Sequence, residues 1–333
     1  MLLSLTARLL PRRAMLCAAA ATAVLLATPL PALAQAWPNK PIKLIVPFPP
    51  GGGTDTFARP LAQKLAAQLG QSVVIDNRGG AGGNIGATAA AKSAPDGYTF
   101  LLGAVHHTVA MTVYKTPGFD VEKDLMPITG VAYVPDVLVI NSKLPATNVR
   151  ELITYAKANP ARINYGSSGN GTTRHLAGEI FNRMTGTAIT HIPYKGSGPA
   201  MTGLIGGEVQ LIFEGLGSAA THIRANSIRA LAVTSPRRSA AFPDIPTMAE
   251  AGVPGFESQS WYGMWAPAGT SPEIVRRMHA EVVKALASPD LAATWAAQGA
   301  DPGGESPEQF GRFIRTEVEK WGKVARDLKI SAE

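Results

Sequence analysis

The stretch IKLIVPFPPGGGTDTF, Ile42 to Phe57, decides the fold: an apolar run, a proline–glycine turn and the start of an amphipathic helix follow one another without a break. A second stretch, INYGSSGNGTTRHL from Ile163 to Leu176, repeats the arrangement. Each predicts a β-strand that ends in a glycine-rich turn and passes directly into a helix. The free N–H groups of the first helical turn and the positive end of the helix dipole then converge on one spot, and glycine lets a ligand approach the backbone. Two such spots predict a ligand with a carboxylate at one or both ends. Neither turn has the lysine of a nucleotide loop, because GGGTDT from Gly51 lacks Gly-Lys-Ser/Thr, so the glycines do not announce triphosphate binding. The second turn, Gly166 to Thr173, contains no basic side chain, which leaves backbone N–H groups to neutralise the acid.

Outward from these turns, strand-like and helix-like runs alternate. Ile42–Phe48, Val73–Asp76, Tyr98–Leu102, Val137–Ile140, Ile163–Tyr165, Val209–Phe213 and Ala230–Thr234 are short, apolar and bounded by Gly, Pro, Asn or Asp. They read as buried parallel strands. Phe57, Leu61, Leu65 and Leu69 recur at i+4 on one helix face, and Leu152, Ile153 and Ala156 lie on another that ends at Asn159-Pro160. Thr247–Glu250 and Ser306–Gln309 have the form of capping boxes; Ser271-Pro272 and Ser288-Pro289 pair an N-cap serine with proline at the first helical position. Beyond about residue 270 the pattern is helical to the end. Repeated βα units predict an open α/β sheet whose ligand sites lie beyond the carboxyl ends of the strands, where both turns fall.

The N-terminus reads as an export signal. Arg8, Arg12 and Arg13 precede an uncharged run from Ala14 to Leu30, and Ala32-Leu33-Ala34 matches the small-x-small cleavage pattern. Cleavage after about Ala34 and residence in the periplasm are the expectation; a retained anchor is disfavoured by the short run and by Pro29 and Pro31. The pair Arg12-Arg13 does not choose between export routes. Cys17, the only cysteine, lies inside the leader, so the mature chain has no disulfide and no cysteine metal site. Three of the 31 basic residues also lie there, leaving 28 against 24 acidic, net +4, scattered singly or in pairs. Such a balance gives no stripe of the kind nucleic acid needs. The 299 residues after cleavage suffice for two cores at ~100 to 200 residues per domain.

PFPPGGGTD (Pro47–Asp55), NRGGAGGNIG (Asn77–Gly86), PDGYTF (Pro95–Phe100), YGSSGNG (Tyr165–Gly171), PYKGSGPA (Pro193–Ala200) and DIPTMAEAG (Asp244–Gly252) stand in the order and spacing of the Bug/TctC family, which the mature chain resembles over essentially its whole length. These are extracytoplasmic solute receptors of tripartite tricarboxylate transporters. The resemblance implies a Venus-flytrap, periplasmic-binding-protein fold of two α/β lobes, each a mainly parallel sheet flanked by helices. Lobe one would be about residues 37–133 plus 258–333, and lobe two about 134–257. It further implies a monomer without cofactor or metal that holds a small carboxylate and passes it to membrane transporter subunits. Ligand contacts would come from Phe48, Pro49, Gly51, Gly52, Gly53, Thr54 and Asp55 in the first turn and Ser167, Ser168, Gly169, Asn170 and Thr172 in the second, with His175, Tyr194 and Lys195 nearby.

Two departures from the family pattern bear on the ligand. Glu214 in LIFEG stands where the family usually has Asp, and GAVHHTVAMTVY (Gly103–Tyr114) replaces its usual Asn-Pro. Glu214 is expected near the cleft, bonding either a ligand hydroxyl or amine or the lobe's own backbone. His106 and His107 are candidate ligand contacts, but an i, i+1 pair diverges and makes a poor metal chelate. Two other readings stay open: a receptor that reports its ligand to a membrane sensor, and a hydrolase built on Ser168, His175 and Glu214. Against the latter, GSSGN (Gly166–Asn170) misses the Gly-x-Ser-x-Gly elbow at its last position. GAGGNIG (Gly80–Gly86) likewise fails the dinucleotide fingerprint by one residue.

Overall fold

The computed structural model describes residues 37–160 and 162–331; the leader Met1–Ala34, with Cys17, lies outside the described residues. The chain alternates strand and helix: β1 (Ile42–Val46), α1 (Gly53–Leu69), β2 (Val73–Asn77), α2 (Asn84–Ala91), β3 (Thr99–Ala104), α3 (His106–Val113) and β4 (Leu125–Asn141). Then come α4 (Val149–Ala158), β5 (Asn164–Ser167), α5 (Thr173–Thr185), β6 (Thr190–Pro193), α6 (Ser197–Gly206), β7 (Leu211–Gly215), α7 (Leu216–Arg224) and β8 (Ile228–Val233). The last segment holds β9 (Gln259–Pro267), α8 (Pro272–Leu286), α9 (Pro289–Ala297), β10 (Asp301–Pro302) and α10 (Pro307–Asp327).

The strands form one mixed sheet in the order β2-β1-β3-β9-β4-β7-β5-β6, with β8 and β10 also paired to β4. Both glycine-rich turns sit in parallel units: β1 pairs in parallel with β2 and β3, and β5 with β6 and β7. Strand β4 joins the two sets. Its first part pairs with β9 and its last with β7 and β8, all antiparallel. Val137–Ile140 and the run on β8, expected to be parallel, are therefore antiparallel. A strand buried on both faces reads as a continuous apolar run whatever the direction of its neighbours.

Packing follows the predicted faces. Phe57, Leu61 and Leu65 of α1 are buried, and Leu152 and Ala156 of α4 point into a core with Leu138, Phe181, Phe213 and Phe256. A second core gathers Ile45, Leu101, Trp261, Trp265, Phe310 and Trp321. Ser271 and Ser306 cap α8 and α10 as expected, the latter in a full capping box. Ser288 and Pro289 stand at the N-cap and first position of α9 as expected, although the Ser288 hydroxyl donates to the Ala285 carbonyl and makes no bond to the helix start. One helix-start expectation is corrected. Thr247 and Glu250 do exchange bonds of 2.7 and 3.1 Å, but Gly252 and Pro254 follow and only a turn forms. Strands β6, β9 and β10 were not expected, and β10 interrupts the helical C-terminal part.

Candidate functional site

Strand β1 ends at Val46, and the turn Pro47–Gly52 delivers the chain to α1 with Gly52 as its N-cap. Glycine offers no side-chain oxygen, so the first N–H groups of α1 have no capping partner. The buried Asp55 braces this turn from behind. It accepts from the Gly51 N–H at 3.0 Å, from Arg59 Nε and Nη2 at 2.7 and 2.8 Å, and from Asn77 Nδ2 at 3.1 Å. Asn77 also donates to the Phe48 carbonyl at 2.8 Å. Gly53 is required sterically, because a Cβ there would collide with the Tyr262 hydroxyl.

The second turn is built differently. Thr172 caps α5 by accepting from the His175 N–H while donating to the Gly169 carbonyl at 2.8 Å. His175 Nδ1 accepts from the Gly171 N–H at 3.1 Å, and its ring stacks on His191, centroids 3.9 Å apart. His191 Nε2 lies 2.6 Å from Ser167 Oγ. Burial pushes His191 down to about 3 and lowers His175, which keeps both imidazoles neutral and able to accept. The Tyr114 hydroxyl donates to the Asn170 carbonyl at 2.7 Å, tying the α3 segment to this turn.

Between the turns lies a small buried cavity of about 10 Å³, room for roughly one water. Its walls are Phe48, Gly52, Gly53, Thr54, His106, Ser168, Arg174, Ser197 and Tyr262. Four helices begin at it: α1 at Gly53, α3 at His106, α5 just before Arg174 and α6 at Ser197. Ser168 Oγ and both ring nitrogens of His106 are buried without a partner among the described residues. His106 stands edge-on to Phe48, and burial, with His107 beside it, holds its pKa well below the usual histidine value. Arg174 is ion-paired to Glu214 at 2.9 Å inside the wall. Asp136, pushed up by burial, accepts from Ser258 and Ser260, and burial raises Tyr262 to about 12. A larger chamber of about 240 Å³ shares Phe48 and Ser168 with this cavity and is bordered by Gly169, Asn170, Tyr194 and Lys195.

The expected site residues thus divide. Phe48, Gly52, Gly53, Thr54, His106 and Ser168 face the inner cavity; Gly169, Asn170, Tyr194 and Lys195 border the outer chamber. Pro49, Gly51, Asp55, Ser167, Thr172, His175 and Glu214 line neither, and the polar side chains among them are engaged within the protein. No hydrogen bond joins Ser168, His175 and Glu214 among the described residues, as each of the last two has another partner. Arg174, Ser197 and Tyr262 escaped the sequence reading. Arg174 follows the turn by one residue, so the absence of a basic group within Gly166–Thr173 did not mean its absence from the site.

Fold and site together define an α/β periplasmic-binding-protein architecture with a polar cavity at the helix starts. Residues 57–330 match the model of the tripartite tricarboxylate transporter family receptors, and the chain belongs to that family. It is 44% identical to Protein BugT of Bordetella pertussis over 89% of this chain and 92% of that protein. It superimposes on an R. palustris protein solved with adipate at TM-score 0.86 and 42% identity, covering 89% of this chain and 99% of the other. The periplasmic binding protein BugD aligns at TM-score 0.86 and 35% identity, covering 89% of this chain and all of its own.

Proposed function

We propose that this receptor is exported to the periplasm, holds a small carboxylate between the two turns with its acid group at the inner cavity and its body in the outer chamber, and hands it to the membrane subunits of a tripartite transporter. One observation carries the reading: four helix N-termini converge on a narrow cavity whose buried Ser168 hydroxyl and His106 imidazole have no hydrogen-bond partner among the described residues. Unpaired N–H groups and helix dipoles favour an anion, and a planar carboxylate has the acceptors to satisfy several donors at once. The adipate-bound R. palustris relative supports the class of ligand.

In this reading the lobes divide near residues 133/134 and 257/258, where β4 and β9 cross, and ligand draws them together. Calorimetry and thermal shift with adipate and with shorter and longer straight-chain mono- and dicarboxylates test it. A bound carboxylate at ~100 times its dissociation constant adds ~2.7 kcal/mol of stability. If none of them shifts the transition, the carboxylate reading fails. Intact-mass measurement of periplasmic material tests the export route, with Gln35 expected at the mature N-terminus.

A further inference from the structure

We infer that Arg174 is the cation that meets the ligand's carboxylate and that Glu214 is the positioning residue holding it there. The inference rests on the carboxylate reading above.

The Arg174 and Glu214 side chains are only 5% and 1% exposed. Burying such a pair costs desolvation energy that its own attraction does not reliably return. The place chosen makes the cost larger. Arg174 occupies the second position of α5, at the positive end of that helix, and the starts of α1, α3 and α6 border the same cavity. A cation is disfavoured at a helix N-terminus, so a purely structural arginine gains nothing from standing there. A site that awaits an anion does gain.

The hydrogen bonds assign the two roles. Glu214 Oε1 accepts from Arg174 Nε at 3.2 Å, Arg174 Nη2 at 2.9 Å, the Gly215 N–H at 2.9 Å and Ser218 Oγ at 2.7 Å. That oxygen is saturated, and Glu214 lines neither the inner cavity nor the outer chamber, so it supports the arginine instead of meeting the ligand. The guanidinium spends two of its five N–H donors on Glu214, and the residue forms part of the cavity wall beside Ser168 and His106. Gly215 keeps the fork in place: a Cβ there would lie 3.2 Å from both Arg174 Nη2 and the Tyr262 hydroxyl. Glu214 also cancels the arginine's full charge, so the remaining attraction comes from helix starts and oriented donors that suit a single carboxylate. With so little room inside, the ligand's body lies in the outer chamber beyond Phe48 and Ser168.

The test compares wild type, Arg174→Gln, Arg174→Lys and the double variant Arg174→Gln/Glu214→Gln, by calorimetry with adipate and the same straight-chain acids. The double variant replaces the ion pair by a neutral amide pair, and the neighbouring buried Asp136 keeps its Ser258 and Ser260 donors while losing both the attraction of Arg174 and the repulsion of Glu214, so the variant is expected to fold. Binding of the best acid should weaken at least tenfold in both glutamine variants, the scale of one lost hydrogen bond to a charged group. Arg174→Lys should recover part of the loss, because it restores the charge without the fork. A folded double variant that binds as tightly as wild type overturns the inference and leaves the receptor reading intact. Failure of the wild type to bind any of the acids overturns both.

Discussion

The two glycine-rich turns look alike in sequence and are held in opposite ways. The first is clamped by charge: the Asp55 carboxylate gathers the Gly51 N–H, Arg59 and Asn77, and its helix start carries no side-chain cap. The second is clamped by neutral groups: Thr172 caps its helix, His175 accepts from the Gly171 N–H, and His191, stacked on His175, bonds Ser167. The first turn thus leaves its helix start open and fixes the loop from behind. The other closes its own cap and offers instead a bare Ser168 hydroxyl and a buried arginine.

The charge clamp is the place to break first. Asp55→Ala removes the acceptor for four donors, the Gly51 N–H, two N–H groups of Arg59 and Asn77 Nδ2. Arg59 is half exposed and returns to water, which limits the damage. A loss of about 2 to 3 kcal/mol is expected, the scale of several hydrogen bonds to one charged group reduced by rehydration. Denaturant unfolding measures it; a change under 0.5 kcal/mol would mean that the turn is held without this carboxylate.

Acid should distinguish the two turns next. Burial lowers His175 and takes His191 from 6.5 to about 3, with the stacked rings opposing each other's protonation. Glu179, facing His175, pulls the other way, and Tyr165 stacks on His191 without carrying charge in this range. The unfolded chain therefore takes up protons first as pH falls. Stability is full above about 6.5 and is lost progressively toward the depressed folded values, down to about 3 for His191. His107, held at about 4 by burial, adds to the same slope. Melting temperature followed from pH 7 downward should fall, and His191→Gln should make the fall shallower. An equal slope in that variant would show that the stacked pair is not what titrates.

How far the sequence could be read follows from the same contrast. Local grammar exposed both turns, because strand, glycines and helix follow one another along the chain. Asp55 and His175 were legible as members of those turns, yet not as braces, since their partners Asn77 and His191 come from other strands. Tyr262 had no local signal. It sits on β9, an antiparallel strand from the far end of the chain that pairs with β3 and β4. In β4 itself, Pro127, Gly130 and Pro135 break up the apolar run, and register shifts lie beside the first two. Such a strand does not show in a search for short uninterrupted stretches. Arg174 carries no sequence signal of its place in the wall, because a charged residue on a helix normally faces solvent.

The smallest effect sharpens the comparison most directly. Thr172→Ala removes the cap from the second turn and should cost about 1 kcal/mol of stability. Gly52→Ser does the reverse at the first. Gly52 has φ −85° and ψ 172°, which serine adopts freely, and its Cβ would meet Ser197 Cβ at 3.5 Å and the Gly198 N and Pro49 O atoms at 3.8 Å, all ordinary contacts. The new hydroxyl can accept from the first N–H groups of α1, so stability should rise by a few tenths of a kcal/mol. Those N–H groups are then no longer free for a carboxylate, and adipate affinity should fall even though the fold is firmer. Calorimetry and thermal melting on the same sample read both signs. If Gly52→Ser gained stability and kept full affinity, the open start of α1 would not be where the anion is held, and the second turn with Arg174 would carry the ligand alone.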